Sequence, residues 1–207
     1  MLKLVTILLL ASLASADTVE DLNERLDNLL QGGNLLLSLY GYGLNRLPDH
    51  KFPDLELRNG VHVGLNSLQR VGDATDNVHE DGSGTVHLHI GWHLFQLVFG
   101  SIRSQGLEYS GSINVKDSSF YISYDVVFHP ACKVNLTRFE LERLADVSLI
   151  ASNPAADRDI SDIFAEQVLP YYNAQVALYK NVFQNELQKS LCHNVANQNS
   201  ANHLTAI

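Results

Sequence analysis

Basic residues are scarce in this chain: 14 Lys and Arg stand against 23 Asp and Glu, for a formal net charge of −9. That removes the first term of nucleic-acid affinity, which needs a cationic surplus to displace phosphate counterions. It equally removes a polybasic grip on anionic membranes. Long hydrophobic runs are missing beyond the first sixteen residues, so no transmembrane segment is expected. Only two cysteines occur in 207 residues, Cys132 and Cys192. They are too few for a disulfide framework and lack the CxxC spacing of zinc or dithiol chemistry. Also absent are a G-x-S-x-G elbow, a Walker loop, an H-E-x-x-H pair and a dinucleotide fingerprint. No catalytic residue and no cofactor is therefore assigned, and the chain reads as a non-enzyme. Apolar residues make up 45% of it, enough to bury a sizeable core and too many for general disorder.

What is present begins with an address. Lys3 forms a positive n-region, Leu4 to Leu13 an apolar core, and Ala14-Ser15-Ala16 a small-residue cleavage site. Residues 1–16 are expected to be a signal peptide, the alternative being a retained N-terminal helix. Secretion into an oxidising, extracellular compartment follows, and there a Cys132–Cys192 disulfide is expected, with two buried thiols as the alternative. Asn135-Leu136-Thr137 is a glycosylation sequon, with Asn135 as acceptor.

From Thr18 to about Tyr40, Val19, Leu22, Leu26, Leu29, Leu30 and Leu37 recur at helical spacing, and the intervening acids take the other face. Gly41 and Gly43 end that helix. Val86, Leu88, Ile90 and Trp92 then alternate with His87, His89, Gly91 and His93, a strand pattern. At Leu94 the phase changes and Phe95, Leu97 and Phe99 take over. A phase change inside one long strand signals a bulge or a strong bend. Phe120, Ile122, Tyr124, Val126 and Phe128 alternate again, and Val134 to Leu141 changes phase once more. Turn signals are read at Asn59-Gly60, Asp81-Gly82, Gly106, Lys116-Asp117 and His129-Pro130. A last helix is expected from about Asp159 to Leu191, kinked or split at Pro170. Roughly thirty residues of helix extend about 45 Å. Its apolar stripe is wide, and only a curved sheet is large enough to cover it. The layout is α+β: a strongly curved antiparallel sheet rolled around a long C-terminal helix, with an N-terminal helix. One domain is expected over residues 17–193, followed by a polar, disordered tail at 194–207.

His87, His89 and His93 tempt a metal reading, but a fourth ligand at characteristic spacing is missing, so no metal site is expected. Glu140 and Glu142 lie two apart on a strand and read as solvent-facing charge. The apolar excess either packs completely or reserves part of itself for an apolar ligand. In the second case the lining is expected from Leu88, Ile90, Trp92, Phe120, Ile122 and Tyr124, facing Phe164, Val168 and Tyr172 on the helix.

The stretch Leu55-x-Leu57-Arg58-Asn59-x-x-x-Val63-Gly64-Leu65-x-x-Leu68-x-Arg70-Val71-Gly72-Asp73-Ala74 resembles the corresponding part of the group 7 mite allergens. Pro48-Asp49-His50, the Glu80-Asp81-Gly82 turn and Leu136-Thr137-x-Phe139-Glu140-Leu141 resemble that family too. Its fold is similar to that of bactericidal/permeability-increasing protein and lipopolysaccharide-binding protein. It is also similar to takeout and juvenile-hormone-binding proteins, in the tubular lipid-binding superfamily. The resemblance implies a curved sheet around a long helix and a secreted, non-enzymatic carrier of lipid or a small hydrophobic ligand. The alternative is a secreted recognition protein with a fully packed core and a protein receptor or dimer partner.

Overall fold

A computed structural model describes residues 19–79, 83–127 and 131–204. Residues 1–16, expected to be a signal peptide, and the expected turns at Asp81-Gly82 and His129-Pro130 lie outside them. The chain is α+β, as its patterning requires. Helix α1 (Val19–Leu39) leads into strands β1 (Leu44–Leu47), β2 (His50–Lys51), β3 (Glu56–Val63), β4 (Leu68–Arg70) and β5 (Thr75–Val78). Four long strands follow: β6 (Ser83–Trp92), β7 (Phe95–Ser104), β8 (Leu107–Val127) and β9 (Lys133–Ala151). A 3-10 turn at Pro154–Ala156 and β10 (Arg158–Asp159) precede α2 (Ser161–Ile163), a π-helical segment at Phe164–Val168, and α3 (Leu169–Leu204).

The ten strands form one antiparallel sheet whose spine is the β8–β9 ribbon. Strands of 21 and 19 residues are several times the usual length. One edge of β8 is shared end to end by β6 and β7. Gly84–Ile90 of β6 pair with Phe120–Val126, and Phe95–Phe99 of β7 with Gly111–Val115. The β6 and β7 segments thus run as one strand interrupted at the bend 93–94, which is where the alternation changes phase in the sequence. A Cβ on Gly91 would strike the Ser118 carbonyl, so only glycine lets the two strands cross this closely. Pairing shifts register between Ser119 and Phe120 and again between Ser123 and Tyr124. Such bulges strengthen twist and bend the ribbon.

Two turn signals resolve differently. Lys116-Asp117 lies inside β8 at the bend rather than in a loop, because pairing of Val115 and Asp117 with β9 holds it extended. Asn59, at φ 53°, makes a left-handed kink within β3 that leaves its register with β7 unchanged, and its amide donates to Asp49 Oδ1 at 2.9 Å. The β7–β8 hairpin instead turns at Gln105-Gly106, with φ 52° and 79°, the pair of positive φ values that a tight type I′ turn demands.

The bend divides the interior into two apolar clusters. In the first, Leu22, Leu26 and Leu30 of α1 and Phe183, Leu187 and Leu191 of α3 pack on Leu88, Ile90, Ile122, Tyr124 and Leu136. The second gathers Leu57, Phe99, Ile113, Leu144, Leu149, Phe164 and Val168, among others. Pro170 lacks an N–H and its ring would clash with the Glu166 carbonyl in a regular helix. The π-helical segment directly upstream widens the turn there. Helical backbone continues to Leu204, beyond the end expected at Leu191.

Both helices are fastened to exposed strand edges by side-chain amides. On α1, Asn34 donates to Leu68 O at 2.7 Å and accepts from Leu68 N at 2.8 Å. Arg70 binds both oxygens of Asp27 at 3.0 Å, while Asn23 reaches Asp73 and the Ala74 amide. The Arg70-Val71-Gly72-Asp73 block therefore clamps α1 to the sheet. Replacing Asn34 by Leu leaves two backbone groups without partners and is expected to cost about 2 kcal/mol. Urea unfolding measures it, and a loss within about 0.5 kcal/mol would show that water serves Leu68 equally well.

Candidate functional site at the seam between the two cores

The sequence-derived lining is split by the bend. Leu88, Ile90, Ile122 and Tyr124 are buried in the first cluster, against Phe183, Leu187 and Leu191. Phe164 and Val168 are buried in the second, with Trp92 and Tyr172 packed beside them. Phe120 touches both clusters. The expected contact of the Leu88–Ile90 face with Phe164, Val168 and Tyr172 is thus not formed. The first of these groups meets the far half of the helix, because α3 runs along β9 from Leu141 to Cys132.

That course is set by a row of polar side chains on α3. Asn173 donates to Leu141 O at 2.8 Å and accepts from Leu141 N at 2.7 Å. Lys180 donates to Thr137 O at 3.1 Å. Gln184 accepts from Leu136 N, and Gln188 from Val134 N while donating to Cys132 O. These residues recur at spacings of seven, four and four, one face of a helix. They satisfy a strand edge that would otherwise be open. The Cys132–Cys192 disulfide, with a Cα–Cα distance of 5.5 Å, closes the far end.

Beside that face runs the apolar one: Tyr172, Val176, Tyr179 and Phe183, at spacings of four, three and four. Phe183, Leu187 and Leu191 are buried, but Tyr172 and Val176 are only half-buried and Tyr179 is 56% exposed. Between Val168 and Phe183 the helix buries no residue completely. The sheet residues at this level are half-buried aromatics: Trp92, Phe95, Phe120 and Phe139. Their rings form short chains, with Trp92 5.2 Å from Phe95, Phe120 4.9 Å from Phe139, and Phe139 4.3 Å from Phe183. An apolar, aromatic seam between two closed cores is the candidate site.

His62 was not singled out by the sequence, yet it reaches this region. It is 6% exposed and its ring lies 4.5 Å from Phe95. Burial alone pushes its pKa down to about 4. The other histidines differ. His87 Nδ1 pairs with the Tyr121 hydroxyl at 2.8 Å, and His89 Nδ1 with Glu142 at 3.1 Å. Burial raises the Glu142 carboxyl, but hydrogen bonds from Ser119 and His89, with the charges of His89 and Arg143, outweigh it and hold it below the usual range. Glu140 pairs with Arg138, whose guanidinium lies over the Tyr121 ring. His93 is exposed, as is Asn135 on β9. Among the described residues no three His, Cys, Asp or Glu side chains are placed to share a metal ion. No helix among them is long and apolar enough to cross a membrane.

No protein-family model matches the chain, and none of the curated proteins matches it. Among solved structures it is similar to the crystal structure of lipopolysaccharide binding protein, at 12% sequence identity and a TM-score of 0.29. The match covers 81% of this chain and 37% of that one.

Proposed function

We propose that this chain is a secreted, non-enzymatic binder or carrier of lipids or other small hydrophobic molecules, held at the seam under the middle of α3. The observation that carries the reading is the half-buried aromatic set Trp92, Phe95, Phe120 and Phe139, opposite a helix face that is closed at Phe183 and open at Val176 and Tyr179. The disulfide suits an oxidising compartment, in accord with residues 1–16 as a signal peptide and 17–193 as one lipid-binding-like roll. The group 7-like stretch agrees in kind. Among the described residues no Lys or Arg is buried, which favours a carrier of neutral ligands over a sensor of anionic ones.

An acyl tail placing ~10 methylenes in the seam gains roughly 8 kcal/mol gross, at ~0.8 kcal/mol per CH₂. Association and ordering remove several kcal/mol, leaving about 4–5 kcal/mol, a Kd of a few tenths of a millimolar. Titration with a fluorescent neutral acyl probe is expected to saturate in that range. Trp92→Ala, which strips the seam, and Val176→Trp, which fills it, are each expected to weaken binding about tenfold. Saturable binding unchanged in both folded variants would place the ligand elsewhere, and no saturable binding would sink the reading.

A protein partner is the second reading. Tyr171, Leu178 and Val182 share the outer face of α3, and Leu178 is 72% exposed. A fully packed interior with that face as the interface would show as a clean apo mass and a dimer or receptor complex in native mass spectrometry.

A further inference from the structure

We propose that the inner end of the seam is built to hold an uncharged lipid oxygen, a hydroxyl or an ester carbonyl, on Trp92 Nε1 and His62 Nε2. The inference rests on the lipid-binding reading and names the ligand's polar group. The His62 and Trp92 rings both pack on the Phe95 ring, at 4.5 and 5.2 Å centroid to centroid. Both atoms are shut off from solvent and neither has a hydrogen-bond partner in the protein. Buried polar atoms are nearly always paired, so a donor and a second ring nitrogen left open on two rings that share Phe95 as a neighbour call for a partner from outside the chain. Tyr109 Oη is also unpartnered, but it belongs to the β7–β8 hairpin, opposite Ile102, far along the strands from Phe95.

The chemistry of the two atoms selects the partner. The indole N–H only donates, whereas the Nε2 of a neutral imidazole accepts or donates according to its tautomer. A hydroxyl oxygen accepts from Trp92 and its proton goes to His62; an ester carbonyl accepts from either. A carboxylate or phosphate carries a charge that nothing inside compensates, because no described Lys or Arg is buried. Desolvation keeps the His62 ring neutral, so it supplies no cation either. Access runs past the bend, where Trp92 and Phe95 are half-buried and His93 and Leu94 are exposed. The ligand class is thus a neutral lipid alcohol or glyceride rather than a free fatty acid anion.

The experiment is displacement of bound 1-aminoanthracene from the disulfide-intact protein at pH 7.5 by hexadecanol, monopalmitoylglycerol and palmitate. Hexadecanol and monopalmitoylglycerol are expected to displace at concentrations at least tenfold lower than palmitate. Trp92→Phe and His62→Leu, each checked for native circular dichroism, are expected to shrink that preference to about threefold or less. If His62→Leu does not fold, Trp92→Phe and the wild-type preference still decide. Palmitate binding as well as the alcohols, or a preference that survives in the folded variants, overturns the polar anchor while leaving lipid binding intact. Failure of the probe and of all three lipids to bind overturns the lipid reading itself.

Discussion

Cys192→Ser is expected to lower the unfolding free energy by about 4 kcal/mol. The disulfide joins Cys132 at the start of β9 to Cys192 on α3, 60 positions apart. Loop-closure entropy for that separation amounts to about 4 kcal/mol in the chain-entropy model. The Cys132 carbonyl accepts from Gln188 Nε2 at 2.9 Å, and the same nitrogen lies 3.0 Å from Cys192 Sγ. The bridge therefore also holds the last amide of the row that seats the helix. Urea unfolding of wild type and variant measures the difference. Amide exchange should accelerate most around Phe183–Leu191. A loss under about 1 kcal/mol would mean that Phe183, Leu187 and Leu191 hold this end by packing alone.

Stability is expected to fall by about 3 kcal/mol between pH 6.5 and pH 4 through His62 alone. Its folded pKa is pushed from 6.5 down to about 4 by burial. In that window the unfolded chain binds a proton at this ring and the folded chain does not, so acidification favours unfolding. The contribution is complete above pH 6.5 and gone once the pH has fallen through the folded value. At 1.36 kcal/mol per unit, the displacement corresponds to about 3 kcal/mol. Other groups titrate in the same range, so the measurement is the difference between wild type and His62→Leu across pH 4–7. Wild type should lose about 3 kcal/mol relative to the variant as the pH falls from 6.5 to 4. Parallel curves would show that the ring protonates in place. A ligand hydroxyl on His62 Nε2 should shift the wild-type curve upward near neutrality, where the ring is neutral and free to accept.

The amphipathic reading of Thr18–Tyr40 matches α1 at Val19–Leu39 almost residue for residue, and the Val86–Trp92 alternation matches β6. The phase change at Leu94 is the bend that separates β6 from β7. These features are local: a helix or strand with one buried face must repeat its apolar residues at 3.6 or 2. The continuous length of β8 was less legible, because Lys116-Asp117 has the composition of a turn and is held extended only by β9 and its neighbours. The residues expected to line a site do not form one packed face: Leu88, Ile90, Ile122 and Tyr124 join the first cluster, while Trp92 and Tyr172 pack beside the second and Phe120 touches both.

His62 shows where local pattern stops. Strict alternation from Val61 and Val63 would turn this ring outward. In β3 the buried positions are instead Leu57, Gly60 and His62, because the left-handed Asn59, opposite Gly100, turns the strand over without shifting its register with β7. The course of α3 is the same kind of fact. Asn173, Lys180, Gln184 and Gln188 read as solvent-facing polar positions until a strand edge lies beside them. By itself the sequence determined the α+β class, the element order and the bend, since each follows from the periodicity of apolar residues along the chain. Which half of the helix closes a core, which half leaves a seam, and which histidine is buried were decided by tertiary structure. Those depend on register and bulges, where one residue of slip exchanges the two faces of a strand.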